Sequence, residues 1–421
     1  MKIIDYLFIY AIFSIWMLLL INVILSFSSY IYFRKRKKNN IDLEEFDKSI
    51  DELPFVSILI PAHNEEKVIG KTLESLFNLN YPNDRYEVIV TNDNSQDNTA
   101  SILNEFKNRY KNNLFKIVTT NKENGGKGKS NALNIAYQES KGEYIAVYDA
   151  DNTPEKNALK YLVYGIINNK DLGAIIGKFR TINKKKNILT RFINIETLSF
   201  QWLAQAGRWQ LVKLCTIPGT NFIIRRDILE KIGGWDPDAL AEDTEISFQI
   251  YKLGYRIAFM PEAVTWEQEP ENLNVWFKQR TRWVKGNIYV LFKNIKLLIS
   301  EFNTKIIFDM FYFLMVYIFF LSSVILSDFI FVFLLFSNFE IGLQGNITVL
   351  WIMAYILFVF EVSIVLTMEK GENTFENFLY VLISYFTYSQ LWIIVSIKGI
   401  ISYIIDYISD SEKKWYKTER F

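Results

Sequence analysis

Apolar residues crowd the two ends of the chain and fall into short, separated runs between them. Residues 3–33 are almost continuously apolar, broken only by Asp5, Asn22 and a few serines. That exceeds the roughly 20 residues a helix needs to cross a bilayer. Towards the other end, residues 306–339, 349–368 and 378–405 are also apolar enough to span. The first and last of these outrun one bilayer thickness, which allows tilt, an interfacial extension or a short hairpin. The C-terminal spans therefore number about three, or four. Residues 288–299 are amphipathic, with Lys293 and Lys296 on one side, as in a helix lying in the interface.

Between about Ile41 and Asn303 the pattern is that of a soluble domain. Apolar, β-rich runs at 55–60, 86–90, 115–119, 144–148, 172–177 and 255–259 read as strands. Helical spacing appears at 68–79, 100–110, 132–139, 155–168, 244–253 and 276–290. Strands alternating with helices predict an α/β domain with a mostly parallel, doubly wound sheet. The chain thus divides into an N-terminal transmembrane anchor (1–38), a cytoplasmic domain (39–287), an interfacial segment (288–304), C-terminal transmembrane helices (305–408) and a polar tail (409–421).

Charge orients this layout. Arg34-Lys-Arg-Lys-Lys38 follows the first apolar stretch, whereas a signal peptide carries its charge before it. The stretch reads as a retained anchor, and the positive-inside rule puts Arg34 onward in the cytoplasm of a multi-pass plasma-membrane protein. Three C-terminal spans would leave the tail outside, although Lys413, Lys414, Lys417 and Arg420 favour the inside. A net charge of +1 over 421 residues argues against a nucleic-acid binder. The lone Cys215 excludes an intrachain disulfide, and the lone His63 excludes a histidine cluster of the kind that holds zinc. General-base chemistry falls to carboxylates, tyrosines or lysines.

The candidate chemistry gathers at strand ends. Asp149 and Asp151 leave the 144–148 strand together, where ligands of open α/β sheets bind. They are hard oxygen ligands suited to Mg²⁺ or Mn²⁺, a cation usually completed by substrate phosphates. The loop Asn124-Gly-Gly-Lys-Gly-Lys-Ser130 is glycine-rich but is not a P-loop, because Glu123 stands where the first glycine belongs. Asp243, beside Glu242, opens a helix whose N-terminus favours its ionised form.

Together these residues resemble the membrane-bound family 2 glycosyltransferases that include cellulose, hyaluronan and poly-N-acetylglucosamine synthases. Pro61-Ala-His-Asn-Glu65 resembles the first uridine-binding loop, which makes Pro61, Ala62 and Glu65 donor-site residues. Asn92-Asp-Asn-Ser-Gln-Asp97 resembles the second, with Asp93 meeting the nucleoside. Gly128-Lys129 before Asn131-Ala-Leu-Asn134 is similar to the lysine loop near the diphosphate. Asp149-Ala-Asp151 resembles the metal motif, with Asp149 also on the donor. Ala241-Glu-Asp243 resembles the motif of the catalytic base, and Gln279-x-x-Arg282-Trp283 the signature at the acceptor entrance. Gln279 and Arg282 would then face the donor. Trp283, with Gly219 and Thr220, would face the acceptor, and Trp276 would continue an aromatic strip.

The resemblance runs from about Pro54 to Asn287. It departs at Asn92, where many relatives have aspartate, and at His63, where tyrosine is common. The chain ends without a cyclic-dinucleotide-binding domain, so control of that kind within it is not expected. The resemblance implies a GT-A-type fold and an inverting, processive β-glycosyltransferase. Its partners would be a UDP-sugar, a growing polysaccharide, the bilayer and accessory membrane or export proteins, with no nucleic acid. The alternative is a non-processive enzyme that loads one sugar onto a lipid.

Overall fold

The apolar runs at the start of the central region become strands buried along most of their length. In the computed structural model, which describes residues 3–50, 52–295, 304–336 and 347–409, β1 (Val56–Ala62), β2 (Tyr86–Asn92), β3 (Leu114–Thr119) and β4 (Tyr144–Val147) pair in parallel. Helices Ile69–Phe77, Thr99–Arg109 and Lys129–Gln138 connect them. Val56, Ile58, Leu59, Ile60, Val88, Ile89 and Val90 are all fully buried. A strand covered on both faces needs such near-continuous apolar sequence rather than alternation. Their C-terminal ends lie along one edge of the sheet, so the loops after them share one rim.

Beyond β4 the sheet changes direction. With β5 (Thr153–Pro154), β6 (Leu172–Thr181), β7 (Phe222–Arg225) and β8 (Arg256–Glu267), the order is β3-β2-β1-β4-β7-β6-β8-β5. β7 is antiparallel to both β4 and β6, β5 is antiparallel to β8, and β6 and β8 are parallel. The mostly parallel sheet expected from the sequence is therefore a mixed one. The reversal has a local consequence. Val147 at the end of β4 pairs with Phe222 at the start of β7. Antiparallel pairing thus delivers the turn before β7, Pro218 to Asn221, to the residues just after β4.

The chain separates into two compact units. One contains Arg36–Thr197 and Val212–Gln279, and hence the sheet. The other contains Met1–Lys35, Leu198–Leu211 and Arg280–Ser411. In the second unit, the buried face of helix Ile3–Lys38 mixes large apolar residues with the small Ala11, Ser14, Ser26, Ser28 and Ser29, which permit close helix contacts. Ser28 donates to the Gly207 carbonyl at 3.0 Å, and a Cβ on Gly207 would lie 2.6 Å from the Leu25 carbonyl oxygen. Gly207 ends a π-helical stretch, Phe200–Gly207, in a region that carried no strand or helix expectation. Its Trp202 donates to Glu369 at 3.2 Å.

Among the described residues, four helical stretches are long and apolar enough to cross a membrane: Ile3–Lys38, Met310–Ile330, Val349–Met368 and Tyr388–Ser409. The expected span at 378–405 is instead two helices, Phe375–Ser384 and Tyr388–Ser409, parted by a turn at 385–387. The expected interfacial segment is helical through Asn294, as the end of Leu273–Asn294. Its residues 296–303 lie outside the described residues, as do 337–346 and the tail from 410.

Candidate active site

Two loops at the rim, after β1 and β2, are tied together at Asp93. Ala62, the last residue of β1, accepts the Asp93 N–H at 2.7 Å. His63 donates from Nδ1 to the Asp93 carbonyl at 2.6 Å and receives Asn64 Nδ2 on Nε2 at 3.1 Å. The histidine that departs from the family pattern therefore pins the backbone of Asp93. Asn64 and Asn94 both adopt left-handed backbone, with φ of 54° and 51°, which asparagine tolerates better than most residues. Further ties run from Asn64 N–H to Ser95 Oγ at 2.9 Å, from Gln96 N–H to Asn64 Oδ1 at 2.7 Å and from Glu65 N–H to Thr99 Oγ1 at 2.8 Å. Pro61 lies in β1, and the Glu65 side chain is buried beneath these loops.

Asp93 itself is only 5% exposed. Its Oδ1 accepts from Thr120 Oγ1 and from the Gly126 N–H, both at 2.8 Å. A Cβ on Gly125 would lie 2.6 Å from that oxygen, so the glycine loop closes directly over the carboxylate. Among the described residues, no donor reaches Oδ2. Thr120 was not anticipated, because a lone threonine after a strand carries no signal of its own.

Three residues beyond Gly126 the same loop reaches the second cluster. Gly128, with φ of 99°, turns the chain into helix Lys129–Gln138. The Lys129 ammonium lies 2.6 Å from Asp149 Oδ1, 3.4 Å from Glu242 Oε1 and 2.7 Å from the Gly219 carbonyl. Burial alone would push its pKa down. The Asp149, Glu242 and Asp243 carboxylates outweigh that and hold it above the ordinary lysine range. Gly219 is required where it stands: its φ is 90°, and a Cβ would lie 2.9 Å from Asp243 Oδ2 and 3.4 Å from Lys129 Nζ. Thr220, buried beside it, receives the Asp149 N–H at 3.0 Å and donates to Asn152 Oδ1. Its hydroxyl therefore shapes the loop after β4.

Asp243 opens helix Glu242–Lys252, where Oδ1 receives the Thr244 N–H at 2.7 Å and Ser247 Oγ donates to its carbonyl at 2.7 Å. Glu242 is buried and Asp243 half-buried. Asn134 fixes the approach to this helix from the other side. It donates to the Trp235 carbonyl at 2.7 Å and accepts the Trp235 N–H at 2.9 Å, tying helix Lys129–Gln138 to the turn at Gly234. Asn134 and Asn152 act as positioning residues, which residue type alone did not reveal.

The structure thus brings Lys129, Asp149, Gly219, Glu242 and Asp243 together, with Thr220 behind Asp149. Asp151 is 7% exposed just after β4. Among the described residues, no three His, Cys, Asp or Glu side chains form a ready-made metal cage. Two hard carboxylates at a strand end do fit a cation whose remaining ligands are substrate phosphates. The ammonium on Asp149 shows that the place accepts positive charge. Gln279, buried, is the last residue of the catalytic unit. Arg282 and Trp283 belong to the other unit, where Trp283 is 38% exposed with the Arg280 guanidinium 3.9 Å from its ring centre. Trp276 is 1% exposed and therefore a core residue, not part of an open aromatic strip.

Comparison with known proteins bears on identity. Residues 54–286 match the family described as "Glycosyltransferase like family 2". The probable glycosyltransferase YdaM of Bacillus subtilis (strain 168) is 50% identical over 407 residues, covering 97% of this chain and 96% of that one. The poly-beta-1,6-N-acetyl-D-glucosamine synthase of Staphylococcus epidermidis is 34% identical over 239 residues, 57% of this chain and 56% of the synthase. The fold resembles a mannosyltransferase of Pyrobaculum calidifontis solved with GDP-mannose and Mn²⁺, with a TM-score of 0.56, 18% identity and coverage of 92% and 99% of the two chains. With a GT-A-like mixed sheet and that extent of matching sequence, the chain belongs to glycosyltransferase family 2 and is a hexosyl-transferring enzyme.

Proposed function

We propose that this enzyme is an inverting, processive β-glycosyltransferase that polymerises a UDP-activated hexose or N-acetylhexosamine and passes the product across the plasma membrane. The observation that carries the reading is the 34% identity to a poly-β-1,6-N-acetylglucosamine synthase across the catalytic region. The four stretches among the described residues that are long and apolar enough to span a bilayer support the transport half of it. The layout is 1–38 as membrane helix, 39–287 as cytoplasmic catalytic domain and 305–408 as membrane helices.

Pro61, Ala62, Glu65 and Asp93 form the nucleoside side, where Asp93 Oδ2 takes the N3–H of uracil. Asp151, with Asp149 beside it, would hold Mg²⁺ or Mn²⁺, which supplies charge neutralisation for the leaving diphosphate. Lys129 donates charge-assisted hydrogen bonds to the same phosphates, and Gln279 borders them. Asp243 removes the proton of the acceptor hydroxyl as that oxygen attacks the anomeric carbon. Glu242 and the helix N-terminus beside it set the local field. A single displacement inverts configuration, so an α-linked donor gives a β-linked product. Gly219 leaves room beside the base.

The decisive experiment is to incubate membranes carrying the enzyme with a panel of radiolabelled UDP-sugars and to size the products. A polymer from one donor is the expected result. A discrete lipid bearing one sugar would replace polymerisation by the non-processive reaction.

A further inference from the structure

Lys129 is fully occupied before any donor arrives. An ammonium has three N–H donors, and here three acceptors surround it: Asp149 Oδ1, Glu242 Oε1 and the Gly219 carbonyl. Its side chain is 14% exposed, so these contacts lie in a largely desolvated place where charge pairs are strong. Asp149 is one of the two carboxylates assigned to the cation. A divalent ion on that carboxylate would face the ammonium at close range, and the two positive charges would repel.

The residues around the lysine let it leave. Lys129 is the first residue of its helix, directly after Gly128 in positive-φ backbone, and exposed Gly126 and Lys127 precede it. Its four-carbon stem can swing the ammonium without moving the helix. Gly219 presents only hydrogen on the side facing the ammonium and Asp243. A diphosphate entering the rim offers the ammonium a stronger partner than Asp149 and frees that carboxylate at the same moment.

We propose that Lys129 is a counter-ion gate: without donor its ammonium occupies the cation's place against Asp149, and donor diphosphate draws it away so that cation and sugar nucleotide enter together. This inference rests on the metal reading of Asp149 and Asp151. Linkage makes the gate reciprocal: whatever the nucleotide adds to cation affinity, the cation adds to nucleotide affinity.

The test is Mn²⁺ binding by the full-length protein in nanodiscs, followed by loss of the free-ion electron paramagnetic resonance signal, first without nucleotide and then with UDP. The wild type should bind Mn²⁺ weakly alone and at least about tenfold more tightly with UDP, within the usual range of coupling. Lys129→Met should bind Mn²⁺ about tenfold more tightly than the wild type in the absence of UDP. Lys129→Gln, which keeps a hydrogen-bonding head group and guards against misfolding of the first variant, should do the same. Lys129→Arg should stay weak. If both neutral variants bind Mn²⁺ no more tightly than the wild type without UDP, while all bind it with UDP, the gate is wrong and the metal site stands. If none binds Mn²⁺ even with UDP, the metal reading falls and the gate falls with it.

Discussion

Asp93 and Asp149 each stand just beyond a parallel strand, on the same rim, and they are held in opposite ways. Asp93 is clasped by neutral donors, a threonine hydroxyl and a glycine N–H, from a loop that closes over it. Asp149 is met by a lysine ammonium that also serves Glu242 and Gly219. Neutral clasps fix a carboxylate in one place and leave its charge to the ligand. A shared ammonium neutralises charge but can be exchanged for another cation. On the proposed reading, the nucleoside side is therefore preorganised, whereas the diphosphate side is built to rearrange when donor binds.

Substitutions can break this contrast, and the largest effect should come from the exchangeable side. Asp151→Asn should reduce UDP release from the sugar nucleotide to background, and added Mn²⁺ should not restore it. Full turnover by this variant in excess chelator would remove the metal from the reaction. Asp243→Asn should cost on the order of 10²-fold or more in transfer, the scale of general-base catalysis, with UDP affinity unchanged by calorimetry. A parallel loss of affinity would make Asp243 a binding residue instead.

The preorganised side should answer differently. Thr120→Val removes one clasp from a buried carboxylate, a change worth about 1–3 kcal/mol. It should weaken UDP binding by roughly tenfold while leaving the metal requirement and the rate at saturating donor nearly intact. A fall in rate alone would show that the clasp shapes the reacting groups. The smallest effect should come from Lys127→Ala, in the same glycine loop but exposed. UDP release within about twofold of wild type would separate the loop's one buried ammonium from its neighbour, since changes at exposed positions are usually slight.

The contrast also explains what could be read from the sequence. β1, β2 and β4 are continuous apolar runs because both faces are covered, and the loops after them carry the residues that drew attention. The direction of β7 was not legible: Phe-Ile-Ile-Arg has the same composition in either orientation. That direction is what places Gly219 and Thr220 beside Asp149 and Lys129. The carbonyl and carboxylate partners 90 and 113 positions from Lys129, at Gly219 and Glu242, follow from topology and not from spacing. Thr120 and Asn152 are neutral side chains that position others, and nothing in their local sequence distinguishes them from ordinary turn residues; Asn134 stands in a recognised motif, but its bond to Trp235 is not readable there. Helix Ile188–Ser199 and the π-helical stretch after it were missed because buried polar residues, Thr190, Asn194 and Thr197 in the first and Gln201 and Gln205 in the second, interrupt the apolar rhythm on which helix recognition depends.

The contact of Gly207 with the Leu25 backbone bears on how the protein is made. The first helix is made early in synthesis, yet the glycine it packs against is translated some 180 residues later. Ser28, buried in the finished protein, gains its Gly207 partner only when the π-helical stretch has been made, and Ser29 gains Met368 later still. Deleting the helix to obtain a soluble enzyme would strip cover from Gly207 and Trp202, which also packs on Phe33. Expression of the intact chain in membranes is the practical route to an active preparation.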